Sequence, residues 1–163
     1  MAGRGAAPVQ RLEGIEMNYD NIEAVIAALD QFEPTDYEAD NCGRLDELFR
    51  NFRTLSGCER ALPSMFALLE RFPAGEFGNP GPVVQEIEHM GGYHELLKAS
   101  LARVPTAQTV WMANRIMNTI TDRKLWSSWM QVLQNASSHP LADEGARASA
   151  QLFIDHQNER IET

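Results

Sequence analysis

Residues 62–73 read LPSMFALLERFP, and their spacing decides the fold class. Leu62, Met65, Phe66, Leu69 and Phe72 recur at intervals of three and four, the signature of a helix with one apolar face. Pro63 falls in the first turn, where the missing N–H is tolerated, and Pro73 stops the helix. Thirty-two residues later the pattern returns. Ala67-Leu-Leu-Glu-Arg-Phe-Pro73 and Ala99-Ser-Leu-Ala-Arg-Val-Pro105 agree at four of seven positions, a spacing that suits a helix-pair repeat.

Helical periodicity continues outward in both directions, and no segment sustains the strict alternation of a half-buried strand. Towards the N-terminus, Ile22, Val25, Ile26, Leu29 and Phe32 make one face of a first helix, with Asn18 or Asp20 as cap and Pro34 at its end. Leu45, Leu48, Phe49, Phe52 and Leu55 make a second, terminated by Gly57. Beyond Pro73, a Gly- and Pro-rich loop from Ala74 to Pro82 precedes a short helix carrying Val83, Val84, Ile87 and Met90, which Gly91-Gly92 breaks. Tyr93, Leu97, Leu101 and Val104 line the next helix, and Val110, Ala113, Met117 and Ile120 the one after. Asp122 caps a helix carrying Leu125, Trp129, Val132, Leu133 and Ala136. The last begins near Pro140 to Asp143 and buries Ala146, Ala150, Phe153 and Ile154. The expected fold is therefore all-α, an irregular HEAT-like stack or bundle of about eight helices, over 18–32, 43–55, 58–72, 83–90, 92–104, 106–120, 122–137 and 142–159. Leu69, Leu97, Leu101, Val110, Met117, Trp129, Leu133 and Phe153 are the expected core.

The chain has 163 residues, a length that suits one domain able to bury a core without disulfides or a structural metal. Residues 1–16, MAGRGAAPVQRLEGIE, lack helical periodicity and read as a disordered leader or an added upstream segment, separate from a single helical domain over 17–163. That opening also lacks the apolar core of a signal peptide, and no apolar run reaches the ~20 residues that cross a bilayer. With two thiols, Cys42 and Cys58, and no secretory leader, the expected location is cytoplasmic and no membrane partner is expected.

The net charge is −9, and the imbalance is local. From Glu13 to Glu47 eleven carboxylates face one basic residue, Arg44. Phosphate is repelled by such a surface, so nucleic acid is not an expected partner. A basic protein surface is the natural complement, because opposite potentials steer association. The same carboxylates also serve simply to keep a soluble surface hydrated. Pro34, Thr35-Asp36 and Asp40-Asn41 favour turns, so Glu33, Asp36, Tyr37, Glu38 and Asp40 are expected in an exposed loop. With Asp46 and Glu47 nearby they form a candidate binding face, Tyr37 acting as a compact aromatic anchor.

Catalytic and metal chemistry find little support. His89 and His94 with Glu86, Glu88 and Glu95 surround the Gly91-Gly92 break without the i, i+4 pairing of helical zinc motifs, so no metal and no cofactor are expected. Cys42 and Cys58 have no Cys-x-x-Cys spacing. Gly75, Gly78 and Gly81 are interleaved with prolines after a helix and make no phosphate loop. The chain is accordingly expected not to be an enzyme. Trp111 and Trp126 lie off the apolar stripes of their helices, which fits helices buried on two faces or exposed anchors for a partner. Arg115, amid an apolar run with Asn114 and Asn118, is either a stem packed on apolar surface or part of an ion pair.

At Glu70-Arg-Phe-Pro-Ala-Gly-Glu-Phe-Gly-Asn-Pro-Gly-Pro82, Gly92-Tyr93, Pro105-Thr106 and Thr109-Val-Trp-Met-Ala-Asn-Arg-Ile-Met-Asn118 the chain resembles a family of bacterial immunity proteins. Members of that family are encoded beside polymorphic or contact-dependent toxins, and each protects the producing cell by binding its cognate toxin. The resemblance is best over 70–118, weaker over 44–69 and 120–155, and absent before Met17. It implies a toxin partner, one with a basic surface such as a nuclease domain; the residues themselves offer the acidic face, or the surface around Trp111, Arg115 and Trp126, for the contact. Two other readings stay open, a helical-repeat adaptor that holds a peptide in a groove and a small helical enzyme with a site around His89, His94 and Cys58.

Overall fold

In a computed structural model residues 19–162 are described, and among them the chain forms eight α-helices and no strand. These are α1 (Ile22–Gln31), α2 (Glu38–Phe49), α3 (Leu62–Arg71), α4 (Pro82–Met90), α5 (His94–Arg103), α6 (Ala107–Met117), α7 (Arg123–Ser137) and α8 (Glu144–Glu162), with 3-10 turns at Phe52–Thr54 and Cys58–Ala61. The expected leader, residues 1–16, lies outside the described residues. No helix among those described is long and apolar enough to cross a membrane.

The helices stack in two layers. In one, α1 packs on α3, α3 on α5 and α5 on α7; in the other, α2 packs on α4 and α6 on α8. Arg115 Nε, 3.4 Å from Glu88 Oε1, links α6 back to α4. This is a helical stack in which most helices pack against the helix two places earlier, α6 being joined to α4 mainly through the Arg115–Glu88 pair. The core runs through the whole stack: Val25, Leu29, Leu45, Met65, Leu69, Ile87, Leu97, Val110, Met112, Met117, Leu133 and Ala150 are each at most 2% exposed. Each buried side chain of leucine or valine size contributes about 1.5–3 kcal/mol of transfer free energy.

The repeat at residues 67–73 and 99–105 is a unit of this stacking. Arg71, near the end of α3, reaches back to the carbonyls at the end of α1, with Nη2 donating to Leu29 O at 2.9 Å and Phe32 O at 3.4 Å. Arg103, its counterpart at the end of α5, reaches back to Glu70 of α3. Just past α7, His139 Nε2 lies 2.9 Å from Ala102 O of α5. Since Leu141 N–H donates to His139 Nδ1 at 3.1 Å, the neutral ring carries its proton on Nε2 and donates to Ala102. One layer is thus tied together at the C-terminal ends of its helices, where unpaired carbonyls and the helix dipole favour such donors.

Several boundaries depart from the sequence reading. The first helix begins at Ile22 and is capped by Asn21, not by Asn18 or Asp20, because Asn21 Oδ1 accepts from Ala24 N at 2.9 Å. The second spans 38–49 rather than 43–55: its carboxylate-rich first turn complements the helix dipole, and the chain turns at Arg50 and Asn51 well before Gly57. Gly57, at φ 72°, opens the second 3-10 turn instead of closing a helix, so the third α-helix starts only at Leu62. Among the expected core and stripe residues, Phe153 is half-buried and Leu125 is 47% exposed at the start of α7. The remaining helices fall within a few residues of expectation, α6 opened by a capping box in which Thr106 and Thr109 each satisfy the other's backbone N–H.

A cleft behind an acidic corner

The α1–α2 connection is built around Asn41, a buried residue on the inward face of α2. Its Oδ1 accepts from Thr35 N at 2.7 Å, while its Nδ2 donates to Thr35 O at 2.8 Å and to Glu76 O at 3.0 Å. Thr35 Oγ1 also donates to Asp40 Oδ2 at 3.1 Å and accepts from Tyr37 N at 3.3 Å. One buried amide therefore fixes the corner to itself and to the loop between α3 and α4. On it Tyr37 projects with 75% of its surface exposed, the largest exposure of any large apolar side chain among the described residues.

The candidate acidic residues divide between loop and helix. Glu33 and Asp36 are exposed in the connection, but Glu38 and Asp40, expected in the same loop, lie in the first turn of α2, with Asp46 and Glu47 further along it. Asp46 is exposed, and Glu47 is half-buried and paired with Arg50. Arg44 is held at the corner: Nη1 donates to Glu33 O at 3.0 Å and lies 3.7 Å from Asp40 Oδ2, and the guanidinium sits 4.4 Å from the centre of the Phe32 ring. Between Glu33 and Glu47 it is the sole side-chain cation, and it is already engaged.

Behind this corner lies a cleft of about 650 Å³, walled by the first turn of α2, the 72–80 loop, α6 and the start of α8. Phe72, Trp111 and Phe153, each half-buried, give it an apolar floor, and Glu38, Glu76 and Asp143 stand on its walls. Among the described residues no lysine, arginine or histidine lines it. The loop that forms one wall is closely packed. Phe77 is buried against Phe32, ring centres 6.3 Å apart, and Gln108 Nε2 donates to Gly78 O at 3.3 Å. Gly78 adopts φ 90°, and a Cβ on Gly81 would overlap the Phe77 carbonyl oxygen, so both positions require glycine.

Glu38 and Trp111, distant in sequence, meet in this cleft, whereas Trp126 belongs to another region. Trp126 Nε1 donates to Gln157 Oε1 at 3.2 Å. Gln157, wholly buried in α8, donates in turn to Asn114 Oδ1 and Asn118 Oδ1, each at 2.7 Å, and accepts from Arg160 Nη1 at 2.8 Å. Asn114 and Asn118 are thus explained as the α6 half of a network that fixes α6, α7 and α8. Arg115 is an ion-pair residue, held to Glu88 and 4.8 Å from the Trp111 ring centre. The sequence reading missed Glu76, Asp143, Phe72 and Gln157. Of these only Gln157 had a local signal, since it continues the inward stripe of Ala146, Ala150 and Ile154.

The candidate chemical residues are dispersed. Among the described residues no group of three or more histidine, cysteine, aspartate or glutamate side chains is arranged to hold a metal ion. His94 packs edge-on against Tyr93 and Trp129, with ring centres 5.1 and 5.7 Å away. Both cysteines are free and half-buried, and burial, with Glu38 and Asp46 nearby, pushes the Cys42 thiol up from its ordinary value. What this end of the molecule offers is shape and negative charge. Set against known protein families, characterised proteins and solved structures, the chain matches none of them.

Proposed function

We propose that this chain is a protein-binding protein of the immunity type, which binds a cognate bacterial toxin with a basic surface and occludes it without performing chemistry of its own. The observation that carries the reading is Tyr37, exposed among Glu33, Asp36, Glu38 and Asp40 on a corner pinned by a buried asparagine. Pre-organisation of this kind lowers the entropic cost of association, and a rigid aromatic within a charged rim is the make-up of an interface hot spot. Asp46 and Glu47 extend the negative field along α2, steering a basic partner towards the corner. Trp111 and Arg115 border the same region, and Trp126 lies outside it.

The test begins with the protein encoded beside this chain's gene, expressed alone and together with it. Growth arrest in the first case and rescue in the second is the expected result; a neighbour that is harmless, or whose toxicity the chain leaves unchanged, overturns the reading. With a neutralised partner in hand, Asp36, Glu38 and Asp40 are replaced together by Asn, Gln and Asn. Slower association and a shallower dependence on salt are expected, and unchanged kinetics move the interface off this corner.

The cleft favours a second reading, a helical-repeat adaptor that holds a peptide from another protein. Affinity for short peptides, with no effect on any neighbouring toxin, is the result that selects it.

A further inference from the structure

The carboxylates of this molecule are not all treated alike. Glu23, Glu70, Glu86 and Glu88 each face an arginine within 3.4 Å, across helices or turns distant in sequence. Glu38, Glu76 and Asp143, which come from three separate elements, converge on one cleft, and none forms an ion pair among the described residues. Asp143 uses one oxygen to cap α8, accepting from Ala146 N at 2.8 Å, and among the described residues Oδ2 has no partner. Beneath them the faces of Phe72, Trp111 and Phe153 are only partly covered. The volume of about 650 Å³ lies within the range of roughly 300–1,000 Å³ typical of ligand clefts.

We infer that this cleft receives an extended segment of a partner protein in which arginine or lysine stands beside a large apolar side chain. The apolar side chain lies on the aromatic floor, and the cations reach the rim. Three carboxylates, with no cation among the described residues of the walls, repel phosphate and acidic peptides, so neither nucleic acid nor an acidic segment fits. An apolar segment without charge would cover the floor but leave the rim uncompensated. Arg71 and Arg115 lie 5.5 and 4.8 Å from the ring centres of Phe72 and Trp111 but are not among the residues that line the cleft. The inference rests on the partner-binding half of the function proposed above and adds the chemistry of the segment that is bound.

Two pools of end-blocked hexapeptides test it on the full chain, one with arginine flanking leucine or phenylalanine and one with glutamate in place of arginine. The expected result by NMR is that the basic pool alone shifts the Trp111 indole N–H and the Gly78 amide. Its affinity should fall roughly tenfold in the double variant Glu76→Gln, Asp143→Asn, on the order of two rim ion pairs lost. Asparagine preserves the helix cap at 143, so this variant keeps its fold. Equal binding of both pools, shifts confined to another face, or no shift at all each overturn the inference. A chain that neutralises its neighbour while ignoring both pools keeps the immunity reading and loses this one. Peptide binding without neutralisation does the reverse.

Discussion

Arg103 lays Nε and Nη2 against the two carboxylate oxygens of Glu70, at 3.1 and 2.7 Å, and so fastens α5 to the helix before it in the layer. The two-point geometry is stronger than a single contact, but Arg103 is half exposed and solvent screens it. A double-mutant cycle with Glu70→Gln and Arg103→Met should give a coupling energy of about 0.5–1 kcal/mol, shrinking as salt is added. A coupling indistinguishable from zero in low salt would make the pair ornamental to the stack.

Asn41 serves two backbone segments at once. Asn41→Ala leaves Thr35 N–H and the Glu76 carbonyl without their partner and should cost about 2–3 kcal/mol in urea denaturation. Asn41→Asp cannot donate to either carbonyl and buries a charge, so it should cost at least as much. Faster hydrogen exchange at the Thr35 amide is the local sign that the corner has come loose. A loss below about 0.5 kcal/mol would show that the corner holds by other means.

Gln157 is the corresponding hub at the other end. Gln157→Leu strands Trp126 Nε1 and Asn114 Oδ1, while Asn118 Oδ1 keeps Arg160, and a loss of about 2–3 kcal/mol is expected. Gln157→Glu still accepts from Trp126 and Arg160 but cannot donate to the asparagines, so its loss should differ from that of the leucine variant. Identical losses would argue against a cooperative network.

Ser100 and Leu101 are neighbours in the core with opposite expectations. Leu101 is 2% exposed, and Leu101→Ala should cost about 2–5 kcal/mol through lost burial and a cavity. Ser100 is fully buried, yet its hydroxyl has no hydrogen-bond partner among the described residues, so Ser100→Ala should be neutral or stabilise by up to about 1 kcal/mol. Thermal melts of the two variants check both.

Cys42 supplies a prediction in pH. Burial and the nearby carboxylates Glu38 and Asp46 raise its pKa, so at pH 8 less of it is thiolate than in a free cysteine. In a Cys58→Ser background, alkylation by iodoacetamide at pH 8 should be slower than that of a free cysteine and accelerate as pH rises further. Labelling as fast as the free amino acid would place the thiol in open solvent.

Most of the helices were legible because their apolar residues follow one period over about ten positions, and proline or glycine closes most of them. The start of α2 was not, since Asp36, Asp40 and Asn41 are turn formers in isolation; only in the fold does Asn41 point inward and bind Thr35 and Glu76. The cleft was harder still. Its rim carboxylates at positions 38, 76 and 143 come together through helix stacking alone, and no local pattern encodes that. Trp111 was recognisable as a residue off its own stripe, and so was Trp126, but which of them lines a cleft and which is tied into a buried network depends on α8.

The two ends of the stack are unequally built. α7 and α8 share the most extensive helix–helix contact among the described residues, and α8 also lies along α6, whereas α1 meets α2 over a far smaller one. Free energies of local opening should therefore descend along the array, with amides of α1 and α2 exchanging through partial unfolding well before those of α6 to α8. The acidic corner belongs to that looser end. A partner seated there binds the section that otherwise opens first, so its arrival should be felt as a rise in cooperativity, the graded array becoming one that melts as a unit.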